Sequence, residues 1–143
     1  MVGTINIFWF RRDLRLEDNA GLYHALSAGL PVLPIFIFDT EILNQLDEKN
    51  DRRVNFILHV INHLQEQLEK TGTTLDVRIG KPVSVFKKLL IDYKIENVFT
   101  NRDYEPYAIQ RDKEVGLLLE QNCIGFKTFK DQVIFEKKRS GER

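Results

Sequence analysis

One cysteine, one tryptophan and no surplus of either charge are the scarcities that first bound this 143-residue chain. The single Cys123 rules out an internal disulfide and any metal site built from several thiolates, and it suits a reducing compartment. Lysine plus arginine and aspartate plus glutamate stand at 21 each, so the formal net charge is zero. The electrostatic footprint of a free-standing nucleic-acid binder is therefore missing. No apolar run is long enough to cross a bilayer. The opening INIFWF has no basic region ahead of it and runs into charge instead of a small-residue cleavage site, so it reads as a strand and the default location is cytoplasmic.

Familiar catalytic signatures are equally scarce. No GxGxxG follows the first apolar run, and RIGKP at 78–82 lacks the spacing of a phosphate loop. HVINH at 59–63 sets two histidines on one helix face without the glutamate of HExxH, and they read as solvated or packed side chains. Ser27, Ser84 and Ser140 sit in no nucleophile motif, and Cys123 reads as a small buried or half-buried residue near a helix end. Internal repeats and low-complexity segments are absent.

What is present alternates. Apolar runs of strand length occur at 4–10, 32–38, 75–79, 98–100 and 126–129, with helical patterns between them. The first helix is capped by Asn19, turns Leu22, Ala25 and Leu26 to one face, and is stopped by Gly29 and Pro31. A longer helix carries Val54, Ile57, Leu58, Ile61, Leu64 and Leu68 as a stripe up to Gly72. Pro82 and Pro106 each stand where a first helical turn tolerates proline. Strands alternating with helices predict right-handed crossovers and an α/β fold: a doubly wound, Rossmann-like, five-stranded parallel sheet of order 3-2-1-4-5 with helices on both faces. Residues 1–135 form this domain, and the polar EKKRSGER of 136–143 reads as the start of a linker or a chain boundary.

Ligands of such sheets bind beyond the carboxyl ends of the strands, where strand order reverses, which here means between the first and fourth strands. The loops leaving those strands, FRRDLRLEDN and TNRDYEPYAIQRD, are the densest mixtures of charge and aromatics in the chain, and Phe38 and Asp39 end the second strand beside them. Two readings of these residues are open. Arg12, Asp13, Arg15 and Asp18 could pair with one another and cap the next helix, while Asn101, Asp103 and Glu105 could serve a ligand or only the helix starting at Pro106. Phe10 and Trp9 alternate along a strand, so at least one of them packs in the core. The residues alone thus point to a ligand crevice without a catalytic constellation.

WFRRDLRLEDNAGL, with its Arg-Asp-Leu-Arg core and following Asp-Asn, resembles the N-terminal signature of the DNA photolyase and cryptochrome family. NRDYEPYAIQRD resembles that family's NxDxEPYxxxRD segment after the fourth strand, and FIFD at 36–39 and RRVNFI at 52–57 fit at the expected places. The likeness covers the chain from the first strand to DQVIF. It implies the N-terminal α/β domain that carries a light-harvesting antenna chromophore, joined in the whole protein to a larger helical domain that binds FAD and the DNA lesion. In a deoxyribodipyrimidine photolyase the antenna passes excitation to reduced FAD, and the excited flavin donates an electron that splits a pyrimidine dimer.

By the motif positions, the resemblance implies an antenna pocket of Phe10, Phe38, Asp39, Arg53, Asn101, Asp103 and Glu105, with no catalytic residue and no metal ligand. Folate-binding members use polar residues slightly farther into the helix, where this chain has Tyr107 and Ala108. That departure points to a deazaflavin or flavin mononucleotide (FMN) antenna rather than methenyltetrahydrofolate, with FAD held only by the full-length protein. The implied partner is the C-terminal FAD-binding domain, and damaged DNA is met only through it. Alone, the fragment is expected to be inactive as a carbon–carbon lyase. Trp9 is the sole tryptophan, so the family's electron-relay tryptophans lie elsewhere. Two other readings compete: a fragment of a cryptochrome blue-light photoreceptor, and a stand-alone nucleotide-binding α/β domain, which would want a glycine-rich loop where TNRDYEP stands.

Overall fold

The computed structural model describes residues 3–11, 13–40, 51–103 and 105–130, apart from the side chains of 51–54. Among the described residues nine elements follow one another: β1 (Thr4–Phe10), α1 (Ala20–Leu26), β2 (Val32–Asp39), α2 (Asp51–Lys70), β3 (Asp76–Gly80), α3 (Pro82–Asp92), β4 (Lys94–Asn101), α4 (Pro106–Gln121) and β5 (Gly125–Phe129). The strands form one parallel sheet of order β3-β2-β1-β4-β5, the predicted topology.

The central strand explains the architecture. Residues of β1 alternate between faces, so Ile7 and Trp9 enter one core while Phe8 and Phe10 enter the other. All four are essentially solvent-free, and each such burial contributes roughly 1.5–3 kcal/mol. Trp9 and Phe10 are therefore both core residues. Helices α3 and α4 cover the Trp9 side through Val85, Phe86, Leu89, Val115 and Leu119. Helices α1 and α2 cover the Phe8 side through Leu22, Ala25, Ile61, Leu64 and Leu68.

Several local expectations shift. β4 starts at Lys94, before the apolar run at 98–100, because its polar first half pairs with β1: Ile5 faces Ile95 and Asn6 faces Asn97. The register slips between them, and the Asn6 side chain accepts a hydrogen bond from the Asn97 N–H at 3.0 Å. Leu26 is exposed, since α1 presses inward with Gly21, Leu22 and Ala25 and the next residue rotates out to solvent. Cys123 is also exposed: it takes a left-handed φ of 60° in the turn after α4, where its N–H satisfies the Glu120 carbonyl and its side chain faces outward. The expected linker at 136–143 lies outside the described residues.

Candidate functional site

At the ends of β1 and β4 the described polar side chains bond one another. Asn19 caps α1 by accepting from the Leu22 N–H at 3.1 Å, and its Oδ1 also accepts from Asn101 Nδ2 at 2.7 Å. Asn101 Nδ2 donates as well to Asp13, and Asn101 Oδ1 accepts from the Gly21 N–H at 2.8 Å. Asp13 closes the group by accepting from the Arg11 N–H at 2.8 Å. The side chains of Asp13, Asn19 and Asn101 are nearly solvent-free and hydrogen-bonded, which is the condition under which a buried polar group is tolerated. Gly21 permits the close approach, because a Cβ there would sit 2.8 Å from both Asn101 Oδ1 and the Phe8 ring.

The described arginines of the first loop reach backbone carbonyls and α4. Arg15 donates to the carbonyls of Glu17 and Asp18 at 3.1 and 2.8 Å, holding Asp18 at a left-handed φ of 51°. Arg11 reaches instead across the sheet, donating to the Asn101 carbonyl and pairing with Asp112 of α4. Its guanidinium lies 4.9 Å from the Trp9 ring centre, and that of Arg111 lies 5.2 Å from the same ring. Two buried cations thus share one aromatic side chain. Burial, then repulsion from Arg11, lowers the pKa of Arg111, against the pull of Asp112, Asp103 and Asp39.

Beside this cluster the structure brings β2 and α4 together. The Tyr107 hydroxyl donates to Asp39 Oδ2 at 2.6 Å, and Arg111 Nη1 stands 3.9 Å from the same oxygen. A cavity of about 290 Å³ opens here between the first turns of α3 and α4, lined by Lys81, Pro82, Val83, Tyr107, Arg111 and Glu114 among others.

The seven sequence-derived site residues are distributed unevenly. Asp39 is buried at the end of β2 beside the cavity. Asp103 is half-buried in the loop after β4 and its side chain accepts from the Glu105 N–H at 3.1 Å, while Glu105 is exposed at the start of α4. Asn101 belongs to the polar node described above. Phe38 is half-buried on the α1–α2 face, edge-on to Phe36 at 5.0 Å. Phe10 is fully buried in that core, edge-on to Phe8 at 4.7 Å. Arg53 lies in α2, with its side chain outside the described residues, as are Arg12 and Tyr104.

Sequence reasoning missed Arg11, Tyr107, Arg111 and Asp112. Their signal was the spacing in YAIQRD, which places Tyr107 and Arg111 four apart on one helix face. Among the described residues no group of histidine, cysteine, aspartate and glutamate could hold a metal ion, and no helix is long and apolar enough to cross a membrane.

Comparison with known proteins covers nearly the whole chain. The family model described as DNA photolyase matches residues 6–141. A deoxyribodipyrimidine photo-lyase of Synechococcus is 32% identical over 128 residues, which is 90% of this chain and 26% of that protein. Cryptochrome-1 of Drosophila melanogaster is 30% identical, over 85% of this chain and 23% of its own. Among solved structures, an archaeal photolyase from Sulfolobus tokodaii superimposes with a TM-score of 0.81 at 34% identity, covering 99% of this chain and 32% of that one. It was solved with two FAD molecules, with the implication of a novel light-harvesting cofactor. The chain thus spans about a quarter to a third of the length of these three relatives.

Proposed function

The chain belongs to the DNA photolyase family, and from that premise we propose that it is the light-harvesting part of a deoxyribodipyrimidine photolyase. In this reading it holds an antenna chromophore whose absorbed energy passes to FAD in a C-terminal domain, and damaged DNA is met only by that domain. The observation that carries the reading is the match, over 99% of this chain, to the Sulfolobus tokodaii photolyase with its two FAD molecules.

The physical demands of energy transfer suit the residues present. Transfer needs no acid, base or nucleophile from the protein; it needs a planar group held at one orientation. The Tyr107–Asp39 hydrogen bond ties β2 to α4, which gives the cavity a stiff wall with an aromatic face. Asp103, which lines a separate cavity of about 380 Å³ with Arg102 and Asp112, and Glu105, at the entry to α4, offer carboxylate acceptors for ring N–H groups. At about 290 Å³ the cavity lies at the small end of ligand sites, which suits one ring system or one polar tail. A deazaflavin or flavin chromophore fits this setting better than methenyltetrahydrofolate, because Tyr107 and Ala108 stand where polar partners for a folate would be. The docking face for the FAD domain is the outer side of α1, where Tyr23 and Leu26 are about two-thirds exposed above a groove that includes Leu16.

The test is an absorption and fluorescence titration of the purified chain with deazaflavin, FMN, FAD and methenyltetrahydrofolate. Saturable binding of a deazaflavin or a flavin, lost in Asp103→Ala, is the expected result. Saturable binding of none of the four would count against the reading.

A further inference from the structure

We propose that Arg11 and Arg111 make Trp9 a poor electron donor, an indole insulated from the photochemistry that a bound chromophore would start. Only the use of that insulation under illumination rests on the antenna reading; the insulation itself is a property of this chain.

Trp9 is the sole tryptophan, and indole is among the side chains that give up an electron most readily. It lies in the central strand β1, paired with Ile35 of β2 and Thr100 of β4. The Thr100 hydroxyl donates to its carbonyl at 2.8 Å, so the backbone that carries the ring is held on both sides. The ring packs edge-on to Phe86 at 5.1 Å, with only 2% of the residue exposed.

The guanidinium carbons of Arg11 and Arg111 lie 4.9 and 5.2 Å from the centre of that ring. Removing an electron from Trp9 would leave a positive charge on the indole at those distances from two fixed cations. Coulomb repulsion opposes the step, and a buried ring has little water to screen it. Neutralisation of the two arginines is incomplete. Asp112 pairs with Arg11 and stands 3.6 Å from Arg111 Nε, and Asp39 Oδ2 is 3.9 Å from Arg111 Nη1. Arg11 Nε and Arg111 Nε and Nη2 nevertheless lack a hydrogen-bond partner among the described residues.

Packing alone does not explain this arrangement. Leucine or methionine would cover the ring without the desolvation cost of two buried charges, and these charges also repel each other. What two cations add over two apolar side chains is a positive potential at the indole. In a domain that holds a chromophore, that potential keeps one electron from passing from the indole to the excited ring, a transfer that would quench the excitation before it moved on.

Pulse radiolysis of the 143-residue chain with the azide radical tests this without any chromophore. The azide radical takes one electron from a donor and becomes azide anion. A soluble phenol, in large excess over the chain's four tyrosines, then competes with Trp9 for the oxidised state. At equilibrium the indolyl-to-phenoxyl ratio is expected to lie about tenfold or more below that of N-acetyltryptophanamide at the same concentration and pH. Arg111→Met keeps an apolar cover on the ring, removes one cation and should raise the ratio about tenfold. Asp112→Asn removes a carboxylate and should lower it further.

A purely structural role for the arginines would lower the melting temperature of both variants without moving the ratio in opposite directions. Equal ratios for the unaltered chain and the free indole overturn the proposal, as does a ratio that Arg111→Met leaves unchanged. Should circular dichroism show that Arg111→Met does not fold, Asp112→Asn decides, and a ratio that stays or rises overturns it. Failure here leaves the antenna reading standing, and failure of the chromophore titration leaves the insulated indole.

Discussion

Asn101 and Asp13 are hydrogen-bonded side chain to side chain although 88 residues separate them in sequence. The bond closes the crevice at which the strand order reverses, and it locks the end of β4 to the loop after β1. Many doubly wound domains bind a ligand at this crevice, and here the described polar side chains of β4 and the first loop bond one another across it.

Replacing Asp13 with alanine leaves the Arg11 N–H and the Asn101 amide without their acceptor in a solvent-free setting. Two buried donors left unmet cost about 2–4 kcal/mol, a fall in Tm of roughly 10 °C for a domain of this size. Thermal denaturation followed by circular dichroism measures it, and an unchanged melting curve would remove the node from the account of stability.

Gly21→Ala is expected to destabilise by about 1–3 kcal/mol through steric conflict with Asn101 and Phe8, both 2.8 Å from the added carbon. Alanine is the better helix former, so propensity alone forecasts the opposite sign. Urea denaturation of the two proteins decides between them.

Tyr107→Phe removes the hydroxyl that donates to Asp39 at 2.6 Å while keeping the ring over the cavity. A loss of about 1–2 kcal/mol is expected, with Asp39 left short of a donor. The double variant with Asp39→Asn should cost less than the sum of the single changes, because the two residues share one bond; additive effects in denaturant melts would show that the bond contributes nothing.

Asp103→Ala should abolish chromophore binding while leaving the melting temperature within a few degrees of the parent, since Asp103 is half-exposed and outside both cores. A variant that binds flavin normally would remove Asp103 from the site.

The chain alone is expected neither to split pyrimidine dimers in the light nor to bind DNA measurably at physiological salt, because its net charge is zero. Dimer repair by a purified sample would overturn the division of labour proposed above.

The fold was legible because its signals are local. Alternation of Ile7, Phe8, Trp9 and Phe10 in β1, the Asn19 cap and the prolines opening α3 and α4 each act over a few residues, and all appear in the structure as read. The first half of β4 was not legible: Lys94 and Glu96 carry no apolar signal, and the strand exists there because β1 offers it a pairing partner. Leu26 and Cys123 were misread for the same reason, as their exposure depends on how a helix sits against the sheet and on a turn, not on their own chemistry.

The sequence by itself determined the class of sheet, the order of its strands and the family to which the chain belongs, because periodicity and short motifs survive in one dimension. Only the tertiary structure decided which polar residues are scaffold and which border open space. Asn101 and Arg111 are both polar residues of the second motif, yet one is saturated by Asp13, Asn19 and Gly21 while the other is buried with two donors unmet beside Trp9. That difference rests on which loops meet across the sheet, and hydrogen-bond satisfaction is a property of the assembled three dimensions.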